Sequence, residues 1–324
     1  MQNRFRSIFR LSVNTQHLAT YGPLWLVPFI LMAPAWLTGR AIFWGTPILQ
    51  FVPWSAWAWK TLASGHLPLW NPLVGMGAPL LANYQSALFY PPNWILLFLA
   101  ALGGAPLLAW GQALVIALHL AWAGVGMGRL TQRLGLSSLA GTVSGLAFGL
   151  CGYLVARAGF LSINAAAAWL PWILLGGLEA TLHVQGRPGY PPGKRRCFPS
   201  LLTFALGMQL LAGHAQTTWY SLLLAGLWAI FLGFSSTRGF LDLHGPVSSP
   251  SAGSPPSLRI FSIFNLPRSW QPIAWLILAG LLAIALAAGQ LLPTAEYLLH
   301  SQRESGLDLD FALGYSFSPW HFLT

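Results

Sequence analysis

The sequence predicts an all-α fold, a polytopic bundle of transmembrane helices, and three observations predict it. Charged residues make up 7% of the 324 residues, against roughly 25% in an average soluble domain. Hydrophobic residues make up 55%, and the mean hydropathy is +0.60. A soluble chain of this length could not cover its surface with so few charges, so lipid has to be the solvent for most of it. Third, no acid occurs before Glu179, whereas Arg4, Arg6, Arg10, Arg40, Lys60, Arg129, Arg133 and Arg157 all precede it. The net charge of +10 is carried largely by short segments between apolar runs. That is the positive-inside pattern of membrane proteins and argues against nucleic acid as a partner.

Apolar runs fall at about 23–38, 106–128, 136–156, 160–178, 199–212, 216–233 and 272–292. A helix needs ~20 residues to cross the hydrocarbon, so the run 199–212 is expected to begin earlier than its apolar centre. The run 93–103 is too short to span comfortably and reads as interfacial or re-entrant. Basic residues set the expected orientation. The N-terminal segment, the 129–135 connection, the 179–198 loop and the 234–271 linker all carry arginine, which places them and the N-terminus in the cytoplasm. The first ten residues followed by an apolar run also fit a signal peptide with Ala33-Pro34-Ala35 as its cleavage site, but the spans that follow make a signal anchor the simpler reading.

The long first loop, 39–92, then faces outward. Within it, 52–65 clusters Trp54, Trp57 and Trp59 and predicts a short helix lying among the headgroups. Residues 244–258 are a Pro/Ser/Gly linker. Gly124 and Gly128, and Gly141, Gly145 and Gly149, recur every four residues, the spacing at which helix backbones approach closely in lipid. Cys151 lies in an apolar run and Cys197 in a basic loop, a separation that speaks against a disulfide.

Candidate chemistry gathers in three clusters. The stretch 67–94 sets Asn71, Asn83, Tyr84, Gln85 and Tyr90 among Trp70, Phe89 and Trp94. Amide groups beside aromatic faces bind sugars; the same amides also cap turns. The stretch 213–220, GHAQTTWY, holds His214 and Gln216 at the turn of an apolar hairpin. His214 there is either a proton shuttle or phosphate donor, or a turn residue. His119 and Gln209, deeper in their spans, read as partners between helices. The third stretch, 287–310, carries Glu296 and, seven residues on, Arg303. Such a pair suits a phosphate-linked lipid, the guanidinium clamping phosphate and the carboxylate accepting a proton, or it is an ion pair at a helix end. Asp308 and Asp310 form a D-x-D pair that a divalent metal could use; with no third ligand visible, no cofactor is certain and a divalent metal stays open.

Together these clusters resemble the YfhO family of bacterial membrane proteins, which belongs with the C-type (GT-C) glycosyltransferases. The likeness rests on LPLWNPLVGMGAPLLANYQSALFYPPNW, on GTVSGLAFGLCGYLVARAGFLSINAAAAWLPWILL, on GHAQTTWYSLLL, and on GQLLPTAEYLLHSQR followed by GYSFSPW. The resemblance implies a GT-C-like bundle in the bacterial plasma membrane with a long extracytoplasmic first loop. It implies transfer of a sugar from a polyprenyl-phosphate carrier to a cell-envelope polymer or glycolipid. On that reading Glu296 is the base, Arg303 and His214 meet phosphate, and Gln216, Asn71, Trp70, Asn83 and Gln85 orient sugar or acceptor. The family pattern has an aspartate after the glycine of the first loop, and Thr46 stands there instead. A threonine hydroxyl is far too weakly acidic to serve as base, so a non-catalytic carrier-binding or scaffold protein is the alternative. A transporter or flippase ranks third, because no inverted repeat is visible. Family members are longer, so the resemblance also reads the chain as an N-terminal fragment.

Overall fold

The computed structural model describes residues 15–42, 45–184, 199–237, 267 and 269–301. Among these the helices are α1 (Thr15–Leu37), α2 (Val52–Ala63), α3 (Trp94–Arg133), α4 (Ser138–Gly149), α5 (Gly152–Ala156), α6 (Leu161–Ala167), α7 (Leu170–Val184), α8 (Ser200–Leu211), α9 (Ala215–Thr237), α10 (Gln271–Leu286) and α11 (Ala288–Leu299). Two short antiparallel strands, β1 (Trp70–Asn71) and β2 (Ala78–Pro79), pair Trp70 with Pro79 and Asn71 with Ala78. Five stretches are helical and apolar enough to cross a membrane: Thr20–Leu37, Pro91–Arg133, Ser138–Ala156, Leu161–Leu182 and Ala215–Ser235. The pair α10 and α11, bent by 81°, would make a sixth. These stretches describe a multi-pass membrane protein.

α3 is two helical arms joined by a sharp turn. Gly103 (φ −148°, ψ 20°) and Gly104 (φ 64°, ψ −159°) leave helical geometry, and Gly104 takes a positive φ that suits glycine. The first arm folds back on the second: Leu96 and Leu99 pack where a Cβ on Gly111 would lie. Tyr90, just before the first arm, therefore reaches His119, far along the second. The stretch 93–103 thus forms one arm of a helical hairpin.

Close helix approach organises the centre. A Cβ on Gly145 would stand 2.6 Å from the Gly124 carbonyl, and one on Gly128 would stand 2.9 Å from that of Gly141. The glycines spaced by four therefore face each other across α3 and α4, and Leu24 of α1 fills the seam beside them. Indole N–H groups tie helices by donating to main-chain oxygens: Trp172 to Trp122, Trp228 to Leu174, and Trp110 to Trp36. An apolar body with one donor suits this task in a low-dielectric interior. The buried apolar residues of α7 and α8 join Ala225 of α9 and Ala279 of α10 in one core cluster.

The residues before Pro199, where the run 199–212 is expected to begin, lie outside the described ones. Pro199 caps α8, which begins at Ser200 and covers 12 residues. Proline lacks the N–H of a helix interior and fits a helix start. At ~1.5 Å per residue α8 is too short to cross ~30 Å of hydrocarbon alone. The linker 244–258 and Cys197 lie outside the described residues.

Candidate functional site

Three segments far apart in sequence meet at one end of the bundle, and glycine permits the contact. Gly213, in the turn between α8 and α9, has φ +78°. A Cβ there would collide with the Tyr84 carbonyl and lie 3.2 Å from the Ala87 side chain. The turn at Gly213 therefore lies directly on the helical turn Tyr84–Ser86 of the first loop. The third segment arrives through α11. Gln290, fully buried, donates from Nε2 to the Leu81 carbonyl at 2.7 Å, and Phe89 lies 3.8 Å from the Cβ position of Gly289.

Local turn chemistry shapes each segment. Asn83 caps Tyr84–Ser86 by accepting from the Gln85 N–H at 3.1 Å. Ala87 closes that turn in left-handed geometry (φ 46°). His214 precedes α9 and its Nδ1 accepts from the Thr217 N–H at 3.1 Å, with the Thr217 hydroxyl 2.8 Å away. A histidine whose Nδ1 accepts carries its proton on Nε2 when neutral, and His214 Nε2 has no protein partner among the described residues. Burial pushes the His214 pKa below the ordinary histidine value. The Tyr84 phenol is hydrogen-bonded with Thr218; burial pushes its pKa up to about 12, against the smaller opposing effect of that bond. Tyr84 is therefore a neutral donor at any physiological pH.

Beneath the junction lies a closed polar chain. The Trp169 indole donates to the Tyr90 hydroxyl at 2.9 Å. Tyr90 lies 2.8 Å from His119 Nε2, and His119 Nδ1 lies 2.7 Å from the Val115 carbonyl. A carbonyl can only accept, so Nδ1 donates, Nε2 accepts, and the Tyr90 proton points at the imidazole. Gln209 bridges α6 and α9, donating to the Ala166 carbonyl at 2.8 Å and to Ser221 at 2.9 Å. Two buried atoms at the junction have no protein partner among the described residues: Ser86 Oγ and Gln290 Oε1.

The residues singled out from sequence divide by place. Asn83, Gln85, His214 and Gln216 belong to the segments that meet. Gln85 is exposed, and Gln216, also exposed, donates to the Tyr220 hydroxyl at 2.8 Å. Asn71 is buried and its Oδ1 accepts from the Leu73 N–H at 3.0 Å, which closes its own turn. Trp70 is exposed; its carbonyl accepts from the Trp57 indole at 2.9 Å and its ring covers Gly77. Glu296 is exposed on α11, six residues beyond Gln290. Six residues turn a helix by about 240°, so Glu296 faces away from the side that Gln290 presents to Leu81. Arg303, Asp308 and Asp310 lie outside the described residues. Among the described residues no three His, Cys, Asp or Glu side chains are grouped to hold a metal.

Thr46 immediately precedes a π-helical turn, Pro47–Phe51, and its side chain makes no capping bond. Pro47 packs 3.6 Å from the Cβ position of Gly159, in the turn that bears exposed Arg157. The guanidinium of Arg157 lies 5.4 Å from the Phe160 ring centre, and its carbonyl accepts from buried Asn164 at 3.1 Å. In the sequence Arg157, one arginine between two apolar runs, resembles any loop charge. Tyr84 and Gln290 gain their importance only from contacts across the chain. No family model matches the chain, and neither a curated protein nor a solved structure matches it.

Proposed function

We propose that this chain is a GT-C-like membrane glycosyltransferase of the bacterial plasma membrane. It transfers a sugar from a polyprenyl-phosphate carrier to a cell-envelope acceptor on the outer face. The observation that carries the reading is the meeting of the 81–90 segment, the 213–218 turn and the start of α11, where buried Ser86 Oγ and Gln290 Oε1 have no protein partner among the described residues. The family resemblance includes these same three stretches among those it rests on.

The chemistry follows from the residues. Glu296, on the exposed face of α11 rather than in the junction itself, takes the proton of an acceptor hydroxyl that approaches from that face. The acceptor oxygen bonds to the anomeric carbon as the bond from that carbon to the carrier phosphate breaks. Negative charge develops on the leaving phosphate, and positioned donors or cations lower the barrier. His214 Nε2–H and Arg303 take this role, Gln85 and Gln216 orient the sugar hydroxyls, and the open ring of Trp70 offers an apolar face. Asn71 and Asn83 shape the loop that presents them.

Thr46 favours a second reading, a carrier-binding protein without turnover, because residues 39–92 contain no acid at all. One experiment separates the two. Membranes containing the protein are given polyprenyl-phosphate-linked hexoses, and loss of the lipid-linked sugar is followed beside a Glu296→Gln variant. Turnover by the natural chain and loss of at least about 100-fold in the variant support the transferase with Glu296 as base. Carrier binding without turnover of any donor rejects it in favour of the second reading.

A further inference from the structure

At the other end of α8 a cavity of about 420 Å³ opens between the ends of α1, α3 and α7. Small-molecule pockets typically measure ~300–1,000 Å³. Arg129 and Arg133 line it one helical turn apart on α3, and Glu179 of α7 is the acid on its wall. Arg133 and Glu179 pair at 2.6 Å between Nε and Oε1, with a second contact at 3.4 Å. Glu179 therefore neutralises Arg133 and leaves Arg129 with no carboxylate among the described residues.

Arg129 is held by aromatic rings instead. Its guanidinium lies 5.6 Å from the ring centre of Tyr21 and 5.5 Å from that of Trp172. Aromatic faces attract the cation without accepting its in-plane N–H groups. Arginine presents five donors in a rigid fork, a geometry that matches phosphate oxygens. Gln132 completes the wall: its Oε1 accepts from the Tyr21 hydroxyl at 2.7 Å, which leaves its NH₂ group without a hydrogen-bond partner among the described residues. Leu175 and Leu201 provide apolar lining beside these donors.

We propose that this cavity binds a phosphate anion, and that its occupant is the headgroup of an anionic phospholipid. Net positive charge, a planar donor fork fixed by two rings and an adjoining apolar wall suit a phosphodiester attached to acyl chains. In sequence the segments entering this end are basic too, with Arg4, Arg6 and Arg10 before α1 and Arg187, Lys194, Arg195 and Arg196 between α7 and α8. The inference does not depend on the transferase reading.

The test is lipid retention by the purified full chain in native mass spectrometry, with phosphatidylglycerol, phosphatidylcholine or inorganic phosphate supplied. The natural chain is expected to retain phosphatidylglycerol over phosphatidylcholine, and Arg129→Gln to lower that preference roughly five-fold. Gln132→Glu, which keeps the acceptor for Tyr21 but sets a carboxylate in the cavity, is expected to abolish it. Thermal melting confirms that both variants fold. Competition by inorganic phosphate as effective as the lipid would assign the site to free phosphate, and weak competition assigns it to the headgroup. Equal retention of the two lipids by the natural chain, or undiminished preference in Gln132→Glu, overturns the proposal.

Discussion

The two ends of α8 solve the problem of polar groups in opposite ways. At the end near Leu201, charges meet side chain to side chain: Arg133 with Glu179, and Arg129 with two rings. At the end near Gly213, neutral groups bond to the main chain: Asn83 to Gln85, His214 to Thr217, and Gln290 to Leu81. Partly exposed ion pairs have alternative partners in water, so they tolerate change. Gly213 and Ala87 hold the turns beside the main-chain contacts in left-handed geometry, and a buried main-chain group that loses its partner finds no water to replace it. The Gly213 end is therefore a rigid junction, and the arginine end an adaptable one.

Substitutions should separate the two ends clearly. Gly213→Val forces a β-branched residue to φ +78° and into the Tyr84 carbonyl, so a loss of about 2–4 kcal/mol is expected in detergent unfolding. A change below about 1 kcal/mol would break the picture of a rigid junction. Tyr90→Phe leaves the Trp169 indole and His119 Nε2 buried without their partner, and about 1–3 kcal/mol should be lost. Titration tests the junction in a different way. Because the His214 pKa is lowered on folding, the unfolded chain binds the proton more readily. The stability from neutral His214 is complete above the ordinary histidine pKa and is lost as pH falls through the depressed one. Melting between pH 7.5 and 5 should therefore show a fall that His214→Asn, which keeps a capping side chain, makes shallower. An unchanged pH slope in that variant would exclude His214 as the titrating group. The smallest effect belongs to the arginine end: Arg133→Ala should cost within about 1 kcal/mol, and less in high salt, because the pair is partly exposed (38% and 29%). A larger loss would show that this end is as rigid as the other.

Sequence reading reached different depths in different regions. The glycines at four-residue spacing were legible because close helix approach in lipid needs small residues, and they do face each other across α3 and α4. Gln209 was legible as an interhelical partner because an isolated polar group inside an apolar run needs a bonding partner, whereas His119 bonds Tyr90 before α3 and Val115 of its own helix. The actual partners of the two were not legible, since Tyr90 lies 29 residues from His119 and Ala166 lies 43 from Gln209. The turn-forming role of Asn71 and Asn83 stood beside a sugar-binding one, and composition offered no means of choosing. The 81° bend between α10 and α11 falls at Ala287, a residue with no intrinsic preference for breaking a helix.

The sequence alone determined that lipid surrounds this chain, where its apolar helices run and which connections carry positive charge. Those properties are sums over local composition, because transfer into hydrocarbon is priced residue by residue. Only the tertiary structure decided that Gly103 and Gly104 fold α3 back on itself. It also decided that Gly213 receives Tyr84, that Gln290 reaches Leu81 across 209 residues, and that Arg129 lies between two rings while Arg133 takes the acid. Each of these depends on which helix faces meet, and packing complementarity between distant segments leaves no periodic mark in the chain.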